Sequence, residues 1–82
     1  MYFIYILQSE KDESYYVGYS ANPDSRLLKH NTSKSGYTAS KKPWKLVYTE
    51  TYSNKSDALK REKFIKAQKS REFIEKLING NG

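Results

Sequence analysis

Residues 2–7 (YFIYIL) form an unbroken aromatic and β-branched run, too short for a helix, and the polar stretch SEKDES follows at 9–14. Residues 15–19 (YYVGY) repeat that character, so the two segments predict a hairpin. Alternation places Phe3, Tyr5 and Leu7 on one face of the first strand and Tyr2, Ile4 and Ile6 on the other. In the second strand Tyr16 and Gly18 alternate against Tyr15, Val17 and Tyr19. Asn22 before Pro23 predicts a helix start, an N-cap side chain followed by proline in the first turn. Asp24 suits that end of the dipole, and the helix should run to about His30. Residues 31–44 (NTSKSGYTASKKPW) predict a long loop, and 45–52 (KLVYTETY) a third strand. Asn54 caps a second helix over about 55–68. Ser70 opens a third, with Phe73, Ile74, Leu77 and Ile78 at helical spacing, before a frayed NGNG end. The order ββαβαα predicts an α/β (α+β) fold in a single domain spanning 1–82. It should be a small three-stranded, mainly antiparallel sheet flanked by three helices.

Four residues stand out against this pattern. Glu62 falls within the stripe of Ala58, Leu59 and Ile65 that should face the sheet. A carboxylate there is paired with a cation such as Arg26 or a nearby lysine, holds a metal, or sits at the stripe's wet edge. Arg26 and His30, four apart, share one helix face. Gly18 inside a strand marks a bulge or the close approach of another group.

Composition narrows the chemistry. Among 82 residues there is no cysteine and one histidine, which excludes disulfides, thiolate metal sites and a multi-histidine cage. Eight Tyr, three Phe and one Trp make a compact core attainable and disorder unexpected. No apolar run reaches membrane-spanning length, no signal peptide is recognisable, and a cytoplasmic location is expected. The net charge is +6, and fourteen of the fifteen basic residues follow position 25. That field suits a polyanion, nucleic acid first, and on charge alone it equally suits a solvated lysine-rich surface. Lys34, Lys41, Lys42 and Lys45 interleave with Tyr37 and Trp44, and Lys66 extends the basic set. Trp44, after Pro43 at a strand start, is expected in the core. Two or three phenols, a guanidinium, an imidazole and a carboxylate around one small sheet suit phosphodiester hydrolysis. A hard oxygen donor can hold Mg²⁺, arginine can fork onto phosphate, and a phenol or imidazole can relay a proton. No Walker loop, GxGxxG or cysteine nucleophile competes.

Phe3-Ile4-Tyr5, then ten residues, then Tyr16-Val17-Gly18 resembles the paired signature of the GIY-YIG nuclease superfamily. The resemblance continues through Gly18–Pro23, Arg26–Asn31, Thr38, Pro43–Tyr48 and Ala58–Lys66, and it covers about residues 2–78. It is similar to small stand-alone bacterial members and to the nuclease domain of structure-specific endonuclease subunits. Phe3 stands where the first motif has glycine, and Val17 where the second has isoleucine. The resemblance implies that Tyr5 and Tyr16 line the site, with one of them deprotonating water. Gly18 would turn the chain into the site, and Arg26 would stabilise the scissile phosphate. His30 would assist as a proton-transfer or phosphate-contact group. Glu62 would hold a single Mg²⁺ or Mn²⁺, and Tyr48 would be a further site phenol. The implied function is a divalent-metal-dependent DNA endonuclease, structure- rather than sequence-selective, with DNA repair as its setting. A protein partner or a structural feature of the DNA would supply selectivity, since 82 residues leave no room for a recognition domain. The alternative is a nucleic-acid-binding or partner-docking module with weak or no nuclease activity.

Overall fold

A computed structural model describes residues 1–34 and 36–80, with the side chain of Tyr37 outside the described set. The elements are β1 (Tyr2–Ser9), β2 (Tyr15–Ser20), α1 (Pro23–Thr32), α2 (Tyr37–Ser40), β3 (Trp44–Tyr52), α3 (Lys55–Gln68) and α4 (Arg71–Ile78). The sheet is antiparallel throughout, in the order β2-β1-β3. The expected α+β architecture is therefore present, with one helix more than the three predicted. The addition is α2, a single turn inside the stretch expected to be loop. Gly36, with φ of 90°, turns the chain just before it, and the Trp44 indole donates to the carbonyl of Thr38 within it at 2.9 Å. Inside the predicted loop, glycine's freedom at positive φ thus sets up a short helix. Of the expected frayed end, residues 81 and 82 lie outside the described residues.

The helix caps follow the sequence. Asn22, Asn54 and Ser70 accept from the amides of Ser25, Asp57 and Phe73 at 3.1, 2.8 and 3.1 Å. β1 runs two residues beyond its apolar segment because buried Ser9 serves the turn after it. The Ser9 hydroxyl donates to the Lys41 carbonyl and accepts from the Lys11 and Asp12 amides.

As the central strand, β1 is covered on both faces, which is why its run is continuously apolar. Ile4, Ile6 and Val17 pack with Ala58 and Ile65 of α3 and Leu77 of α4. Tyr5, Leu7 and Trp44 form a second cluster with Tyr16, Leu27 and Leu46. Trp44, 2% exposed, is core as expected. Leu59, expected in the buried stripe, is 36% exposed. The contact of α3 with the sheet is narrower than the apolar pattern suggests, and Ala58 and Ile65 are its buried side chains. Pairing of β1 with β3 slips between Ile6 and Leu7, where Tyr48 and Leu46 are successive partners. The slip is a bulge at Val47, and it decides which face each β3 side chain meets.

Candidate active site

Register places Tyr5 opposite Gly18, and Leu7 opposite Tyr16, on the face covered by α1. The Tyr5 ring lies directly over Gly18. A β-carbon built there would stand 2.6 Å from both the Tyr5 Cζ and its hydroxyl oxygen. The close approach anticipated at Gly18 is thus made by a tyrosine ring, and the bulge lies in β3 instead. With no side chain on that stretch of the edge strand, the Tyr5 hydroxyl reaches across β2.

α1 brings His30 to the same place. Its Nε2 lies 3.3 Å from the Tyr5 hydroxyl, and its ring centroid is 4.7 Å from that of Tyr16. The two tyrosine rings are 6.3 Å apart, and Tyr16 meets Trp44 edge-on at 6.2 Å. Asn31 fixes the end of α1: its side chain accepts from the Trp44 amide at 2.5 Å and donates to the Trp44 carbonyl at 3.0 Å. Those two bonds mimic a strand partner at the start of β3 and hold His30 against the tyrosines. Arg26, one turn before His30, is exposed. Its charge acts on both Tyr5 and His30.

Glu62 approaches from α3, on the sheet's other face. Its carboxylate is 18% exposed and sits 3.4 Å from Lys66 Nζ, which is 52% exposed. Of the alternatives the sequence left open, the observed pairing is with a neighbouring lysine at the wet edge of the stripe, not with Arg26. Lys66, expected among the nucleic-acid contacts, is here the counter-ion of Glu62. The charge of Glu62 adds, as the smallest contribution, to the upward push on the Tyr5 phenol.

These surroundings set the protonation states. Burial, the neighbouring Tyr16 phenol and the Glu62 charge push Tyr5 up to about 12, against the opposing pull of Arg26. Burial, then the positive charges of Arg26 and Lys29, hold His30 below the usual imidazole value. At neutral pH the pair is a neutral phenol beside a neutral imidazole.

The structure does not bring the remaining candidates to this cluster. Tyr48 pairs with Ile6 and lies on the opposite face of the sheet, because the Val47 bulge fixes it there. Its hydroxyl donates to Glu50 Oε2 at 2.5 Å, and burial and that carboxylate push it up to about 12. Lys41 is ion-paired with Asp12 and donates to the Ser14 hydroxyl at 3.3 Å. Lys42 donates to the Ser33 carbonyl at 2.8 Å, and Lys34 and Lys45 are exposed. The expected stacking role of Tyr37 falls on a side chain outside the described residues.

The sequence reading missed Asn31, Glu50 and Arg61 as organising residues. Arg61 forks onto Glu50 at 2.9 and 3.0 Å. A signal for Glu50 was present: YTETY places a carboxylate between two phenols at strand spacing.

Among the described residues no three His, Cys, Asp or Glu side chains come together. That donor set does not fit an all-protein cage. It does fit one hard cation held by a lone, half-buried carboxylate and completed by waters and phosphate oxygens, the usual Mg²⁺ arrangement. Among the described residues no helix is long and apolar enough to cross a membrane.

The sequence and fold were compared with known proteins. A family model described as the GIY-YIG catalytic domain matches residues 1–77. A UPF0213 protein of Staphylococcus epidermidis is 40% identical over 80 residues, covering 96% of each chain. One from Staphylococcus saprophyticus is 43% identical over 79 residues, covering 95% of this chain and 94% of that protein. The solution NMR structure of a UPF0213 protein from Bacillus halodurans superposes with a TM-score of 0.62 at 32% identity, over all of this chain and 87% of that one. Matched in sequence over nearly its whole length, and in fold by a small protein of the same kind, the chain belongs to the GIY-YIG catalytic-domain family.

Proposed function

We propose that this chain is a divalent-metal-dependent endonuclease that hydrolyses DNA phosphodiester bonds and selects DNA by structure rather than by base sequence. The observation that carries the proposal is the cluster of Tyr5 from β1, Tyr16 from β2 and His30 from α1, with the Tyr5 hydroxyl 3.3 Å from His30 Nε2 and the charges of Arg26 and Glu62 acting on that phenol.

Glu62 would hold one Mg²⁺ or Mn²⁺. Such an ion, when bound, polarises a water and a phosphate oxygen. Lys66, released from Glu62, would then reach a phosphate of the DNA. Tyr5, pushed up to about 12, is a weak base precursor by itself at neutral pH. His30 resolves this. Its neutral ring, 3.3 Å away, takes the phenol proton at Nε2 while Tyr5 takes a proton from the attacking water. Tyr16, packed on His30, keeps the imidazole aimed. Arg26 forks onto the scissile phosphate and carries its developing charge. Lys34, Lys42 and Lys45 meet backbone phosphates, which carry no sequence information. Selectivity would then come from the shape of branched or damaged DNA, as in repair, or from a protein partner.

The test is cleavage of supercoiled plasmid and of branched DNA with Mg²⁺ or Mn²⁺. Glu62→Gln should fold normally and lose cleavage. Arg26→Ala should lose about 10²–10³ in rate. Tyr5→Phe and His30→Ala should each depress the rate. Cleavage that persists in EDTA, or that ignores both Glu62 and Arg26, would sink the mechanism. DNA binding without cleavage under any of these conditions would make the chain a binding module.

A further inference from the structure

Glu50 lies in β3 on the face opposite Tyr5, and its side chain is 15% exposed. One carboxylate accepts four hydrogen bonds there: Tyr48 at 2.5 Å, Tyr52 at 2.7 Å, and the Nε and Nη2 of Arg61 at 2.9 and 3.0 Å. Burial alone would raise its pKa, but the bonds from Arg61, Tyr48 and Tyr52 outweigh burial and keep it ionised. The planar fork of an arginine on a carboxylate fixes orientation as well as distance.

What the fork orients is α3. That helix gives the core Ala58 and Ile65, one methyl group and one sec-butyl group. So narrow a stripe resists lifting off the sheet better than rotation about the helix axis, against which the edge contact of Phe64 with Phe73 of α4, at 6.0 Å, is a further apolar hold. Arg61 is one residue from Glu62, so the Glu50–Arg61 pair sets the direction in which Glu62 points. A side-chain tip lies roughly 5–6 Å from a helix axis, so a rotation of about 10° moves the Glu62 carboxylate by about 1 Å. Metal–ligand distances tolerate about 0.2 Å.

We propose that Glu50 is a positioning residue for Glu62. It acts through Arg61, with Tyr48 and Tyr52 completing its shell, and it holds α3 at the rotation that fixes the direction of the neighbouring Glu62 carboxylate. The proposal rests on the reading of Glu62 as a cation ligand. It also gives Tyr48 work outside the catalytic cluster.

The experiment is a Mn²⁺ titration without DNA, read as paramagnetic broadening of the backbone amides of Gly18 and residues 60–66, well below the melting temperature. Wild type should broaden at these amides, and Glu62→Gln should not. Glu50→Gln should keep the wild-type circular dichroism and raise the Mn²⁺ midpoint about tenfold, the lower end of the usual effect of outer-shell partners. Arg61→Lys, which keeps the charge but loses the fork, should raise it less. Unchanged broadening in Glu62→Gln overturns the cation reading and this proposal with it. A wild-type Mn²⁺ midpoint in Glu50→Gln, with only a lower melting temperature, overturns the proposal alone and leaves the pair a structural clasp. If Glu50→Gln does not fold, Arg61→Lys decides the matter: a wild-type midpoint there overturns the proposal.

Discussion

Replacing Gly18 with alanine adds one methyl group to a strand, yet it should disturb the site more than most larger changes. The backbone at Gly18 is outside the left-handed region, so alanine can adopt it without strain. Relief of glycine's backbone entropy would even stabilise the strand, by about 0.5–1 kcal/mol. The new β-carbon, however, would sit 2.6 Å from Tyr5 Cζ and from its hydroxyl oxygen, well inside contact distance. The phenol is the end of a side chain but not a loose one. Tyr5 is 3% exposed and is flanked by Tyr16 and His30 at centroid distances of 6.3 and 6.2 Å. Overpacking of this kind costs about 1–3 kcal/mol. The balance is a loss of about 0.5–2 kcal/mol, read as a lower melting temperature at about 4–8 °C per kcal/mol in a domain this small. Cleavage should fall further than stability does, because the displaced hydroxyl leaves His30. Thermal melts and plasmid nicking of Gly18→Ala, alone and in a Tyr5→Leu background, measure both effects. The double variant should recover most of the stability penalty, since the clashing atoms are gone. An unchanged melt and rate in Gly18→Ala, or the same penalty with Leu at position 5, would refute the close-approach reading.

His30 titrates below the usual imidazole value, so the unfolded chain takes up its proton first as pH falls. Its contribution to stability is therefore present above about pH 6.5 and lost on acidification through the window just below it. Cleavage should fall over the same window. An NMR titration of the His30 ring should show its pKa rise in Arg26→Ala, and no change there would remove Arg26 from its surroundings. Asn31→Ala should cost about 2–3 kcal/mol in a urea melt by breaking both bonds to Trp44. Circular dichroism near 280 nm should report the loosened Trp44. Lys42→Ala with Lys45→Ala should flatten the salt slope of DNA binding by about one to two units. Lys41→Ala should change it less, because Asp12 already holds that ammonium. An unchanged slope in the Lys42/Lys45 pair would take this segment off the binding surface.

The elements were legible because they rest on local rules. Asn22, Asn54 and Ser70 sit where their side chains cap, and the hairpin faces follow from simple alternation. Alternation likewise put Tyr16 and Gly18 on one face of β2, and the register with β1 makes that face the one Tyr5 occupies. What alternation could not supply was the bulge at Val47. One extra residue in β3 decides that Tyr48 meets Ile6 and not the Tyr5 cluster, and nothing local in KLVYTETY marks it. Leu59 misled in the opposite way: helical spacing put it in the stripe, but α3 meets the sheet over too narrow a strip to cover it. Ion pairing was the least legible of all. Glu62 with Lys66 is an i,i+4 pair of the kind the sequence offered, but Lys41 finds Asp12 through loop geometry, about which a charge count carries no information.

The two helices beside the site are both held by polar grips at β3 rather than by broad apolar faces. α1 contributes no fully buried residue, and Asn31 ties its end to the backbone of Trp44. α3 contributes two, and Arg61 ties its middle to Glu50. Each grip lies next in sequence to a residue whose charge or ring acts on Tyr5: Asn31 beside His30, Arg61 beside Glu62. An 82-residue domain has too little apolar surface to fix every helix by burial. Hydrogen bonds fix direction where a small core cannot, and a single misdirected turn of α1 or α3 would take His30 off the Tyr5 hydroxyl or re-aim Glu62 while leaving the sheet intact. Variants at Asn31 and Glu50 should therefore separate folding from chemistry more cleanly than variants in the Ile4–Ile6 core, where loss of the site and loss of the fold arrive together.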